Sequence, residues 1–213
     1  MNRLLVVLFS VLLFQGLAQT SEKYNSEYEN FYRAEELFQK EQYAAARYEF
    51  RAFMNGFNKK EDPLFVKAAF YEGVSALELY NNDAVVLLEN FLKNYPESIY
   101  SNQIYLRLGR YFYQRKNYKE ALSWLNRLGS KDVESEDREE FYFKLGYSNF
   151  ELENYTAARS AFHEVKDGVS QYASPALYYY SHIAYMEGSY KVALDGFKNG
   201  LIDLFKEEED AKL

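Results

Sequence analysis

Apolar and polar positions follow one another along most of this chain with the three-to-four-residue period of a helix that buries one face. One short version of the pattern returns four times, as Gln42-Tyr43-Ala44-Ala45-Ala46-Arg47-Tyr48-Glu49-Phe50, Asn117-Tyr118-Lys119-Glu120-Ala121-Leu122-Ser123-Trp124-Leu125, Asn154-Tyr155-Thr156-Ala157-Ala158-Arg159-Ser160-Ala161-Phe162 and Ser189-Tyr190-Lys191-Val192-Ala193-Leu194-Asp195-Gly196-Phe197. Each reads Tyr, two residues, Ala, three residues, then Phe or Leu. A weaker fifth copy runs through Asn82, Ala84 and Leu88 without the Tyr. The alanines at 46, 84, 121, 158 and 193 lie 38, 37, 37 and 35 residues apart. Such a period marks a stack of helical hairpins, because one hairpin of ~35 residues cannot bury its apolar face alone.

A partner helix precedes each copy. Tyr105-Leu106-Arg107-Leu108-Gly109-Arg110-Tyr111-Phe112 and Tyr142-Phe143-Lys144-Leu145-Gly146-Tyr147 share an aromatic, two residues and Leu-Gly, and Ala69-Phe70-Tyr71-Glu72-Gly73 is a partial version. The small residues Gly73, Gly109 and Gly146, with the five alanines, fall where two helices must cross closely, since a larger side chain would push the axes apart. The large residues four on from each alanine (Phe50, Leu88, Leu125, Phe162, Phe197) are expected to pack against the next hairpin. Pro96, twelve residues after Ala84, sits where a closing proline belongs.

These residues resemble the tetratricopeptide repeat over roughly 28–205. The resemblance implies an all-α, right-handed α-solenoid of about five hairpins, with repeats near 27–57, 63–95, 99–130, 137–168 and 173–206 inside a solenoid spanning 27–206. The stretch Leu88-Glu89-Asn90-Phe91-Leu92-Lys93-Asn94-Tyr95-Pro96-Glu97-Ser98, followed by Tyr105, Gly109 and Tyr113, is similar to repeats of periplasmic members, and the chain looks most like the N-terminal part of large exported tetratricopeptide proteins of Bacteroidetes. It is more distantly similar to the Tol–Pal coordinating protein.

Only the first residues break the helical-repeat pattern. Arg3 is followed by an apolar run from Leu4 to Leu17, too short to span a bilayer, which takes about 20 residues. Gly16-Leu17-Ala18 then offers small residues at the two positions a signal peptidase reads. This is the layout of a secretory signal peptide over 1–18, cut before Gln19, with a polar leader over 19–26. The expected location is the periplasm, either free or associated with the outer membrane. At the other end, Leu201-Ile202-Asp203-Leu204-Phe205 continues the last helix with apolar residues before charge stops it, and 207–213 reads as an acidic tail. A solenoid end ordinarily carries a polar capping face. Further repeats, a partner or a second copy would satisfy this one.

Composition narrows the chemistry. The 213 residues include 22 Tyr and 17 Phe, a load that suits half-buried helix faces and binding surfaces. The net charge of −7 and the lack of any Lys/Arg cluster argue against nucleic acid, whose binding rests on neutralising phosphates. With no cysteine, disulfides, thiolate metal sites, a Cys nucleophile and a lipoprotein anchor are excluded.

No enzyme, cofactor or metal motif stands out. His163-Glu164 opens like a zinc-protease helix, but Asp167 stands where the second His is required. Neither Gly-x-Ser-x-Gly nor a Gly-rich phosphate loop occurs. The acidic run Glu134-Ser135-Glu136-Asp137-Arg138-Glu139-Glu140 reads as complementing a helix N-terminus, without the spacing of an EF-hand calcium loop.

In the tetratricopeptide family the first helices of successive hairpins line a groove, through positions one, five and eight after the opening aromatic. The resemblance carries these onto Leu106, Arg110 and Tyr113, onto Phe143, Tyr147 and Phe150, and onto Tyr178, His182 and Tyr185. In the second repeat they are Phe70, Val74 and Leu77, and in the first Phe31, Glu35 and Phe38. Arg110 is the lone cation, so a carboxylate clamp is disfavoured and an apolar or extended peptide is the expected ligand. An aromatic stripe at helical spacing is also how a core is written, and Trp124, on a second helix, reads as core. The expected function is a non-enzymatic scaffold or adaptor of the bacterial cell envelope, holding other envelope proteins or peptide segments. The alternatives are a ligand- or glycan-binding module and a self-assembling structural component.

Overall fold

The structure is a computed structural model that describes residues 28–210, with side chains through residue 200. The expected signal peptide over 1–18, its expected cleavage bond, the expected 19–26 leader, the apolar side chains of 201–205 and the last three residues of the expected acidic tail lie outside the described residues. Every regular element described is a helix: α1 (28–39), α2 (Tyr43–Gly56), α3 (Pro63–Glu78), α4 (Ala84–Asn94), α5 (Ser101–Gln114), α6 (Tyr118–Leu125), α7 (Arg138–Glu151), α8 (Tyr155–His163), α9 (Ala173–Met186) and α10 (Tyr190–Asp210). They form five hairpins in a helical-repeat solenoid fold, two in one compact unit ending at Ser98 and three in a second starting at Ile99. The backbone of α10 stays helical through the charged stretch as far as Asp210.

Every hairpin turns in the same way. The first helix ends in a residue with positive φ: Glu41 (57°), Tyr80 (55°), Lys116 (57°), Glu153 (61°) and Gly188 (77°). The amide of that residue donates to the carbonyl three back, and the next amide to the carbonyl five earlier. Examples are Lys116 N to Tyr113 O at 2.9 Å, with Asn117 N to Phe112 O at 3.0 Å, and Glu153 N to Phe150 O, with Asn154 N to Asn149 O, both at 2.9 Å. This is a Schellman motif, which satisfies the last carbonyls of a helix while reversing the chain. Four of the five left-handed positions carry a side chain, at a cost of roughly 1–2 kcal/mol each over glycine.

The small residues set how close the two helices of a hairpin come. A Cβ on Gly73 would meet the Leu88 side chain at 2.6 Å. On Gly109 it would meet Leu125 at 2.3 Å, and on Gly146, Phe162 at 2.9 Å. Ala34 and Ser181 hold the same position in the outer hairpins, and both are fully buried. The large residues four after each alanine therefore pack first inside their own hairpin. Two of them also reach the following one, as expected: Phe50 stacks on Tyr71 at 12° between planes and Phe162 on Tyr179 at 15°.

Charged side chains bind one hairpin to the next within each unit. Arg47 Nε and Arg51 Nε lie 3.2 and 2.7 Å from one oxygen of the buried Glu72, and both arginines also reach Asp83. Arg159, the residue equivalent to Arg47, pairs with Glu187 at 2.7 Å. Pro63 opens α3 behind Asp62, whose carboxylate caps the Leu64 amide at 2.9 Å, and α4 ends just before Pro96. Trp124 is buried as expected, stacked on Tyr105 with the Arg127 guanidinium 4.4 Å from its ring.

Candidate functional site

The first helices α5, α7 and α9 touch one another in sequence, and their shared side carries most of the expected groove residues. Position one, however, is core in the first three hairpins. Phe70 and Leu106 are 1% and 7% exposed, and Phe31 in the first hairpin is 1% exposed. The residue three before the small crossing position points at the second helix of its own hairpin: Phe31 meets Phe50, Phe70 meets Phe91, Phe143 meets Phe162 and Tyr178 meets Phe197. Leu77, at position eight of the second hairpin, and Val74 are likewise buried. Phe70, Leu77 and Leu106 thus leave the candidate site, because burial in the fold occupies the surface a ligand would need.

The remaining positions come together in the second unit. Tyr113, Tyr118 and Tyr147 form a closed triangle with ring centroids 5.7–6.0 Å apart, each pair edge to face. Tyr147 also meets Phe143 at 6.1 Å and Tyr179 at 5.2 Å. Phe150 lies 5.0 Å from Tyr179 and 5.9 Å from His182. Tyr178 stacks on His182 at 7° between planes and is 54% exposed. Tyr185 is more than half exposed. The three consecutive tyrosines diverge as helical geometry requires: Tyr178 faces solvent, Tyr179 the joint with α7 and α8, and Tyr180 the Arg159 and His163 side chains.

Arg110, the lone cation among the expected positions, is paired within the fold. Its guanidinium donates to Asp137 at 2.5 Å and to both oxygens of Glu140 at 3.0 and 2.7 Å. Burial works against its charge, but these hydrogen bonds outweigh it and raise its pKa. Glu140 also holds Lys144 at 3.0 Å, and Lys144 lies 4.7 Å from the centre of the Tyr113 ring. The acidic run before α7 thus does more than complement a helix N-terminus. Asp137 and Glu140 tie α7 to α5, and Glu139 accepts from the Ser170 amide at 3.3 Å.

Tyr118, Tyr172, Tyr179, Glu151 and the buried Lys144 belong to this cluster and are not among the positions the resemblance gives. Tyr118 is visible in the sequence only as part of the repeat, and Lys144 occupies a position where three of the other four hairpins carry tyrosine (Tyr32, Tyr71 and Tyr179). Glu151, at the end of α7, is exposed. It acts most on one phenol: Tyr147 is pushed far above the usual phenol range by its hydrogen bond to Glu151, then by burial and by Tyr179. Tyr113 is raised similarly, by burial first and then by Tyr118, Tyr179, Tyr172 and Glu151. Burial leads the rises at Tyr118 and Tyr172 too. These phenols stay neutral donors at ordinary pH, around one exposed carboxylate.

Among the described residues, no group of His, Asp and Glu side chains is placed to hold a metal ion, and no helix is long and apolar enough to cross a membrane.

Repeated hairpins with one turn, one small-residue crossing and matching ties between neighbours define a helical-repeat protein. The tetratricopeptide-repeat family model matches one of these hairpins, over residues 140–167. Solved structures with the same fold include MamA of AMB-1, with 16% identity, a TM-score of 0.65, and 82% of this chain matched to 90% of that one. A second MamA structure has 20% identity and a TM-score of 0.59, with 84% of this chain matched to 97% of that one. A tetratricopeptide repeat protein of Parabacteroides merdae has 17% identity and a TM-score of 0.63, with 84% of this chain matched to 67% of that one. At such identities the likeness is one of fold. No curated protein matches the sequence.

Proposed function

We propose that this chain is a non-enzymatic interaction scaffold of the bacterial cell envelope, exported by its first 18 residues, which holds an extended segment of a partner protein on the α5–α7–α9 face. The observation that carries the reading is the row of exposed and half-buried groups running from Tyr113 and Tyr147, past Glu151, to Tyr178 and His182. Tyrosine supplies large amphipathic contact area at low entropic cost, and neutral phenols beside a carboxylate suit the amides and cationic side chains of a peptide. Arg110 and Lys144 are already neutralised by Asp137 and Glu140, which disfavours a ligand read through its own carboxylate.

Site-specific photocross-linking tests this. A photoactivatable residue at Tyr178 or His182 should capture a defined envelope protein, and the same residue at Ser160, on the exposed side of α8, should not. Glu151→Gln should weaken the capture. Equal capture from all three positions, or none from Tyr178 and His182, overturns the proposed site.

A further inference from the structure

The hairpins within each unit are joined by one recurring device. The residue two before the small crossing position enters a slot formed by two side chains of the preceding hairpin: one four residues after that hairpin's small position, the other four after its alanine. Tyr71 enters between Phe38 and Phe50, with ring centroids 4.5 and 5.7 Å away. Tyr179 enters between Phe150 and Phe162, at 5.0 and 5.4 Å. At the α5/α6 hairpin the slot is Tyr113 and Leu125, and the entering group is Lys144, over the Tyr113 ring at 4.7 Å.

Both halves of the device also occur at opposite ends of the described chain. In the last hairpin the slot positions are Tyr185 and Phe197, and Tyr185 is 56% exposed. Leu194, one after the alanine, is 53% exposed, whereas its equivalent Leu122 in the third hairpin is 8% exposed. In the first hairpin the entering position is Tyr32, 59% exposed.

We infer that Tyr32 of one copy of this chain enters the Tyr185–Phe197 slot of a second copy, so that copies join head to tail through the same contact that joins hairpins inside each unit. Such a joint is heterologous: each copy uses a different surface on each side, and the contact does not close on itself as a twofold dimer does. The register also sets a limit on its strength. Residues equivalent to Lys198 and Arg33 face each other in the internal joints, as an ion pair in the first unit (Arg51 with Glu72) and as a ring contact in the second (His163 with Tyr180). The intermolecular joint instead brings Lys198 to an Arg33 already paired with Glu49 at 2.6 Å, and gains no ion pair there. It should therefore form at high rather than low concentration.

The test is sedimentation velocity of the purified protein across concentrations up to hundreds of micromolar, beside Tyr32→Glu and Tyr185→Glu. Both substitutions fall on exposed side chains, and circular dichroism verifies that the helices persist. The wild type is expected to grow in mass with concentration, and each variant alone to associate at least about tenfold more weakly, the effect of losing an aromatic anchor. The two variants mixed should form a dimer that neither forms alone, since each supplies the half the other lacks. A wild type that stays monomeric throughout overturns the inference, as does full association of either variant. So does a mixture that behaves as the sum of its parts, which would indicate a symmetric contact. None of these readings depends on the partner surface around Glu151, so failure here leaves the scaffold proposal standing.

Discussion

At the scale of single residues, the tyrosines carry a pH dependence that can be read directly. Five described phenols, those of Tyr95, Tyr113, Tyr118, Tyr147 and Tyr172, are raised above their ordinary value, mainly through burial and, at Tyr147, first through Glu151. In the unfolded chain a phenol ionises near pH 10. Between that point and the higher folded value the unfolded state sheds protons the native state keeps. The stability tied to these groups is thus whole below about pH 10 and drains away as pH rises further. A 295 nm titration of the native protein should lag that of the denatured chain. Tyr113→Phe and Tyr147→Phe should each remove one late-ionising phenol and flatten the alkaline loss of stability measured by urea unfolding. A native curve that coincides with the denatured one would refute this account.

The same residue scale shows what could be read in advance. Gly73, Gly109 and Gly146 announced a close crossing by their size, and the structure places a large side chain over each. Family position puts Phe70, Leu77 and Leu106 in a groove although their apolar character argues for burial, and in the structure they are buried. The pairing of Arg110 is not legible in the sequence because its partners Asp137 and Glu140 lie about 30 residues away, beyond any local pattern.

At the scale of elements, the hairpin turn is the feature the sequence concealed. Glu41, Tyr80, Lys116 and Glu153 share no residue type, and only Gly188 advertises a left-handed backbone. Helix periodicity marks where α1, α3, α5, α7 and α9 lose their apolar stripe but is silent about the φ of the reversing residue. The arrangement leaves a reserve of stability. Lys116→Gly and Glu153→Gly should each stabilise the protein by about 1 kcal/mol, because the left-handed cost falls away faster than the entropy of the unfolded chain rises. Gly188→Ala, where a Cβ meets nothing within 4 Å, should cost a similar amount through backbone strain alone. Chemical denaturation of the three variants measures all of these. A destabilised Glu153→Gly would mean that the side chain makes a contact worth more than the strain.

At the scale of the whole molecule, stability in a repeat protein is approximately a sum of hairpin terms and nearest-neighbour joints. The 28–98 and 99–213 units each hold their own buried clusters: Phe31, Phe50 and Phe53 in the first, and Leu125 with Phe141, then Phe162 with Ile183, in the second. The second unit contains two complete internal joints, the Lys144 contact and the Tyr179 stack, together with the Arg110 and Arg159 ion pairs. A fragment covering 99–213 should therefore be helical and melt cooperatively on its own. The 140–167 segment that matches the family model should stay largely unfolded, since one hairpin leaves Phe162 and Val165 without the α9 side chains that cover them. Tyr179→Ala in the 99–213 fragment removes the ring stacked against both Phe150 and Phe162 and should lower the melting temperature by several degrees, as the loss of a few kcal/mol does in a domain of this size. Circular dichroism melts of the fragment, its variant and the single hairpin measure the three together. A 140–167 hairpin that melts as cooperatively as 99–213 would show that the joints contribute little, and with them would fall the basis for transferring the same joint to a second copy.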